Sequence, residues 1–298
     1  MPVQKIKKGH LDVWDIKMGS IRAQISQQGA QLLSYGKHEE PQIIWGNPHA
    51  EYMNDVPVRG GIPVCFPWFG DFTQNPDAVK KMAIQGGSDL LPFHGLVRQS
   101  VWDFEGLNET GGQVTMTFSL GIKENDYFAW RHNCHIKIEY IISDNLQVTL
   151  TVCNPNNYPL SVTLALHSYY HVSDVESIKL KGLASHKYYD ALDAWSLKNQ
   201  DEEPFVNEEM ARTFTDRTGD IAIIDPYYRR KIVITSLNSS SCVLWNPYDK
   251  RALQLDQFSG EAWKEMLCIE TARVKDDYLA VPPNSTESVM LLVSTQIL

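Results

Sequence analysis

The sequence predicts an all-β, mainly antiparallel fold of sandwich or barrel type with a few short helices, and three observations carry that prediction. Apolar residues recur at every second position in many separate segments, turn-forming clusters divide those segments, and no long stretch follows the 3.6-residue period of a helix. Successive side chains on a strand point to opposite faces, so such alternation marks strands with one buried face.

In chain order, strands are predicted over residues 20–26, 114–122, 136–140, 146–152, 161–171, 178–181, 231–236, 241–245 and 288–294. Residues 114–122 alternate Val114, Met116, Phe118, Leu120 and Ile122 with Thr115, Thr117 and Ser119. Residues 146–152 set Leu146, Val148, Leu150 and Val152 against Gln147, Thr149 and Thr151. Turn chemistry separates them at Glu109-Thr110-Gly111-Gly112, Ser143-Asp144-Asn145 and Asn154-Pro155-Asn156-Asn157. Single helical turns are expected near 207–211 and 261–266. No linker, low-complexity tract or repeat interrupts the pattern, so residues 1–298 are read as one domain.

Composition excludes several functions. With 43% hydrophobic and 21% charged residues, the chain has ample material for a core and is not a disordered one. Its 27 Lys and Arg against 36 Asp and Glu give a net charge of −9, which argues against a general nucleic-acid or anionic-membrane binder. Neither an 18-residue apolar run nor a signal-like start is present, so a cytoplasmic location is expected. Cys65, Cys134, Cys153, Cys242 and Cys268 are odd in number and form no C-x-x-C pair, the usage of buried thiols in a reducing compartment.

The phosphate-loop, dinucleotide and nucleophile-elbow signatures are all missing. His167 and His171 would share a face of one strand about 13 Å apart, too far for one metal ion. His167 falls opposite Val162, Leu164 and Leu166, and so meets either water or a ligand cavity. In VPVRGGIPVCFPWFG (56–70), Arg59 precedes two glycines and a set of prolines and aromatics. That segment either fills the core or walls a site for a phosphorylated sugar. His94 and Arg98 flank Gly95 in LPFHGLVR, and Glu270 lies in the otherwise apolar MLCIETARV. Glu270 is thus a buried, paired carboxylate or a catalytic base.

The ordered set RGGIPVCFPWFG, HGLVRQSVWDF, ALHSYYHVSD, VLWNPYDK and KEMLCIETA, spread over nearly the whole chain, resembles the hexose-6-phosphate mutarotases. These are also called glucose-6-phosphate 1-epimerases, an isomerase branch of the aldose 1-epimerase superfamily. The resemblance implies a galactose-mutarotase-like β-supersandwich that interconverts the α and β anomers of a hexose 6-phosphate. It makes His167 the acid, Glu270 the base, and Arg59, His94 and Arg98 substrate-binding residues. The aspartate of the family's D-R-[VI]-Y signature is matched by Asp216 in TFTDRTGD, where Thr218 and Gly219 replace the hydrophobic–tyrosine pair. Phe93 stands where many relatives have a polar residue, and Thr271-Ala272 follow the glutamate where proline or glycine is frequent.

On this reading Glu270, ionised at pH 7 with an ordinary carboxylate pKa of about 4.3, takes the C1 hydroxyl proton. A protonated His167 delivers a proton to the ring oxygen. The expected partner is a small-molecule sugar phosphate met by a monomer, with no cofactor, metal, nucleic acid or membrane involved. A free-aldose mutarotase and a non-catalytic sugar-phosphate-binding module are the alternatives. Retention of both His167 and Glu270 favours an enzyme, and the paired arginines favour a phosphorylated substrate. Because no Cys/His ligand cluster is legible, anomer exchange should survive dialysis against EDTA in full. A loss restored by zinc or magnesium would show that the histidines serve a metal.

Overall fold

The computed structural model describes residues 2–83, 91–127 and 130–298. Two eight-stranded antiparallel sheets make up the body of the protein, and a four-stranded meander, Val3–Lys8 to Leu32–Lys37, is linked to the sheet containing Tyr170 through the bridges Tyr35–Ile44 and Ile44–Tyr170. A two-stranded ribbon pairs Leu160–Val162 with Leu279–Val281. The all-β fold expected from the period-two pattern is the one observed.

The back sheet holds the most regular alternation. Its centre runs Gln113–Ile122, Cys134–Ile142, Leu146–Asn154 and the long strand Ser285–Ile297, each antiparallel to the next. Ile136, Ile138, Tyr140 and Ile142 are fully buried while Lys137 between them is exposed. The glycine pair 111–112 closes the hairpin between Asp103–Thr110 and Gln113–Ile122, as the turn chemistry predicts.

The front sheet positions the site. Its central strand, Met266–Arg273, pairs on one edge with Ser241–Asn246. Its other edge pairs with two short strands, Leu164–Leu166 and Tyr169–His171. Leu267 and Ile269 face the core shared with the back sheet, together with Leu164, Leu166, Leu244 and Phe214. The period of two then sends Met266, Cys268 and Glu270 to the opposite face.

Two expectations need correction. Residues 161–171 do not form one strand; it is broken at Thr163 and again at His167-Ser168. Thr163 leaves the ladder because its backbone N–H goes to Pro67 O (3.1 Å) and its hydroxyl accepts from Phe69 N (2.9 Å). Residues 207–211 are not a helical turn but lead into the strand Met210–Phe214, whose Met210 and Phe214 reach the core. The helical turn near 261–266 is present as Ala262–Glu265. Among the described residues no helix is long and apolar enough to cross a membrane.

Close packing of the back sheet sets a measurable cost. Ile138→Ala should lower the unfolding free energy by about 2–5 kcal/mol, whereas Lys137→Ala on the solvent face should change it by less than about 0.5 kcal/mol. Urea denaturation of both variants checks this, and equal costs would contradict the alternation.

Candidate active site

The break at His167 creates the site. Ser168 N–H turns back to Leu166 O (2.8 Å), a three-residue turn centred on His167, and His167 N–H donates to Pro63 O (2.9 Å). Pairing with the central strand resumes at Tyr169 opposite Cys268. This kink directs the imidazole along the cavity face, and its Nε2 lies 3.3 Å from Glu270 Oε1. Tyr169 stacks on the imidazole (centroids 4.9 Å, 12° between planes) and Trp245 meets it edge-on at 6.1 Å.

Two glycine-bearing segments close in. A Cβ on Gly61 would lie 2.0 Å from Leu32 O, so only glycine lets the segment after Arg59 run against the meander. Gly61 O then accepts from Tyr169 N (2.9 Å), tying this segment to the site strand. At Gly95 a Cβ would meet Phe66 O at 2.1 Å. The preceding His94, itself at φ 68°, donates its backbone N–H to Gly70 O (3.0 Å). Its Nδ1 accepts from Gly70 N (3.1 Å) in return. That exchange places the His94 proton on Nε2, and the ring sits 5.2 Å from His167.

His167, Glu270, His94, Arg59 and Arg98 thus line one cavity of about 500 Å³, the size of a small-ligand site. Arg59 Nε donates to Asp256 O (2.9 Å), which anchors the guanidinium at its edge. Asp216 is not among them. It follows the strand Met210–Phe214 on the outside of the front sheet, 60% exposed at its side chain and 3.6 Å from His186 Nδ1. Thr213, which lies within that strand, is at the cavity wall, and the aspartate is not. Sequence reasoning also passed over Asp71, Trp195, Tyr169, Trp245 and Arg251, all of which line the cavity. Arg251 sits on the one-turn helix Tyr248–Ala252, directly after the WNPYDK motif, which was the available signal.

Electrostatics revise the expected charge states. Burial pushes the Glu270 carboxyl well above the ordinary carboxylate range, with Arg98 opposing the shift. Burial, then Arg98 and Arg59, lowers His167 to about 3. His94 is likewise held well below an ordinary imidazole, first by burial and then by His167 and the two arginines. The sequence reading gave Glu270 the charge of a carboxylate in water and required a protonated His167; removing water favours one shared proton and a neutral pair. Among the described residues Glu270 Oε2, His167 Nδ1 and Arg98 Nε find no hydrogen-bond partner. Among the described residues no three His, Cys, Asp or Glu side chains gather as a metal site.

A buried carboxyl–imidazole pair in an arginine-lined cavity of a β-sandwich has the groups to exchange protons with a polar ligand. The family model for aldose 1-epimerase matches residues 12–292, and the chain belongs to that family. A Salmonella typhimurium protein named "Putative glucose-6-phosphate 1-epimerase" is 27% identical over 285 residues, covering 93% of this chain and 86% of its own. An Escherichia coli protein of the same name is also 27% identical, with 89% and 84% covered. The crystal structure of a "putative mutarotase" from Salmonella typhimurium superposes with a TM-score of 0.87 at 22% identity, over 99% of this chain and 94% of that one. That likeness establishes the galactose-mutarotase-like fold.

The pKa directions predict a pH-dependent stability. Glu270 has an unfolded pKa of about 4.3 and a raised folded one, so between those values the folded state keeps a proton that the unfolded chain has lost. Its contribution to stability therefore falls as pH rises through that window. Glu270→Gln, which cannot ionise, should gain little in Tm over the parent near pH 4 and progressively more towards pH 8. A Tm difference independent of pH would mean that the carboxyl is not perturbed.

Proposed function

We propose that this protein is a hexose-6-phosphate mutarotase that interconverts the α and β anomers of glucose 6-phosphate. The observation that carries this reading is the buried contact of His167 Nε2 with Glu270 Oε1 at 3.3 Å, inside a cavity that also holds Arg59 and Arg98. Membership of the aldose 1-epimerase family supports anomer exchange as the reaction class.

Ring opening needs two proton transfers. Glu270 removes the proton from the C1 hydroxyl, the C1–O5 bond breaks as the C1–O1 bond becomes a carbonyl, and O5 takes a proton from His167. Rotation about C1–C2 presents the other carbonyl face. Reclosure returns the O5 proton to His167 and the Glu270 proton to O1, leaving the protein unchanged. Each positioned transfer contributes roughly 10²–10⁴-fold. The ionic form of the pair is the competent one, and it differs from the neutral form only by a proton moved from Oε1 to Nε2. Substrate supplies what burial withholds: sugar hydroxyls donating to Oε2 favour the carboxylate, and a phosphate dianion favours the imidazolium. His94, neutral with its proton on Nε2, donates to a sugar oxygen.

Phosphate selectivity follows from charge. A chain of net charge −9 repels a dianion on average, so recognition falls to local cations. Arginine suits that role because its planar fork donates two parallel hydrogen bonds to phosphate. Arg98 acts on Glu270 directly, and Arg59 stands further along the same wall as the second cation.

Two-dimensional exchange NMR on glucose and glucose 6-phosphate tests the proposal. Glu270→Gln and His167→Ala should each slow exchange at least ~10²-fold while staying folded. The parent should prefer the 6-phosphate by at least ~10-fold in kcat/KM, and Arg59→Ala should erode that preference with a smaller effect on glucose. Equal rates on the two sugars at matched ionic strength would overturn the phosphate assignment in favour of a free-aldose mutarotase. Near-parental exchange in either acid–base variant would overturn the mechanism.

A further inference from the structure

One part of the cavity wall is used neither by the acid–base pair nor by the arginines. The strands His186–Asp190 and Ser196–Gln200 are joined by a tight connection that carries Ala194 at φ 46° and Trp195 at φ 60°. Left-handed backbone is rare for bulky side chains, and tight hairpins normally place asparagine or glycine there. Trp195 is half-exposed and belongs to none of the apolar clusters of the core, so interior packing does not account for it. Its side chain lines the cavity beside Ala191 and Thr213.

A second segment holds it there. Lys275 Nζ stands 3.7 Å from the indole centroid and donates to Gln74 O at 3.2 Å, and Lys275 is itself left-handed at φ 53°. Gln74 is another residue of the cavity wall. Strained backbone on two separate segments thus converges on one aromatic ring at the cavity edge, the pattern found at ligand clamps.

We propose that Trp195 is the platform on which one apolar face of the pyranose packs, and that it sets the hexose epimer the site accepts. This deepens the mutarotase reading and rests on it. Aromatic rings pack against the C–H faces of sugars, and an axial hydroxyl on the packed face would lose water without gaining a partner. A mutarotase must admit both anomers, and the α anomer carries its axial O1 on the face that bears H3 and H5. The indole therefore takes the other face, which bears H2 and H4 in glucose. Mannose places its axial O2 on that face, and galactose its axial O4, so both epimers are disfavoured. Lys275 is a positioning residue for the ring.

Exchange kinetics on the 6-phosphates of glucose, mannose and galactose test this. Glycine fits the backbone at 195 without strain, so Trp195→Gly keeps the hairpin while removing the ring. It should raise KM for glucose 6-phosphate and lower the preference over each epimer at least about fivefold, and Trp195→Phe should retain most of it. Lys275→Met should shift KM more than kcat, with Lys275→Arg restoring it. An epimer preference unchanged in Trp195→Gly overturns the platform and leaves the mutarotase reading standing. If the parent exchanges free sugars but not their phosphates, the phosphate reading fails, and the same variants on glucose, mannose and galactose still decide the platform. Calorimetric binding of those sugars and their phosphates to Glu270→Gln with and without Trp195→Gly removes the dependence on turnover, and equal affinities there also overturn it.

Discussion

The strand Met266–Arg273 is hydrogen-bonded along both edges and covered on both faces, and the geometry of the site is laid out from it. A strand so enclosed cannot slip by one residue, because that would exchange Leu267 and Ile269 for Cys268 and Glu270 at the core. Fixing the register fixes Glu270, which is 1% exposed. The neighbouring edge is then free to be irregular. The turn at Leu166–Ser168 leaves His167 and Ser168 outside the two short strands without shifting the register, which suffices to bring His167 within 3.3 Å of the carboxyl.

Burial works against charge at this point, and the protein leaves the conflict unresolved until substrate arrives. An ion transferred from water to a protein interior costs several kcal/mol unless it is paired and hydrogen-bonded. Glu270 keeps one oxygen and His167 one nitrogen without a partner among the described residues, so neither is fully compensated there. The arginines sharpen the asymmetry, because they favour a carboxylate at Glu270 yet disfavour an imidazolium at His167. On the proposed reading an anionic sugar offsets the second effect, and charge on the ligand then couples recognition to the protonation state in which the pair works.

The cavity is built from parts of unequal stiffness. Its floor comes from paired strands bearing Glu270, Tyr169, Val243 and Trp245. Its rim comes from connections bearing Phe93, Trp195 and Arg251, of which Phe93 is 63% exposed and packs edge-on against His94. Glu270 therefore stands on the sheet, and the rim side chains stand on connections, where sequence can change without disturbing the core.

The alternation of residues such as Ile136, Ile138 and Tyr140 determined the antiparallel sheets by itself, because a period of two has one low-energy outcome when one face must leave water. The same rule separated Glu270 from Ile269 and set His167 opposite Leu164 and Leu166, the glycine-bearing segments singled out Arg59, His94 and Arg98, and the family resemblance implied their roles. Three things were decided only by tertiary structure. Asp216 was misplaced because the path of a loop depends on its length and anchoring, and here the loop ends outside the sheet beside His186. Trp195 was invisible because no local pattern marks a residue that meets a cavity from a sequence-distant connection, and Arg251 was passed over although it follows a recognisable motif. The carboxyl of Glu270 was read as that of an exposed group and His167 as protonated, since a pKa depends on the water removed around it, and that water is removed only when distant strands pack together.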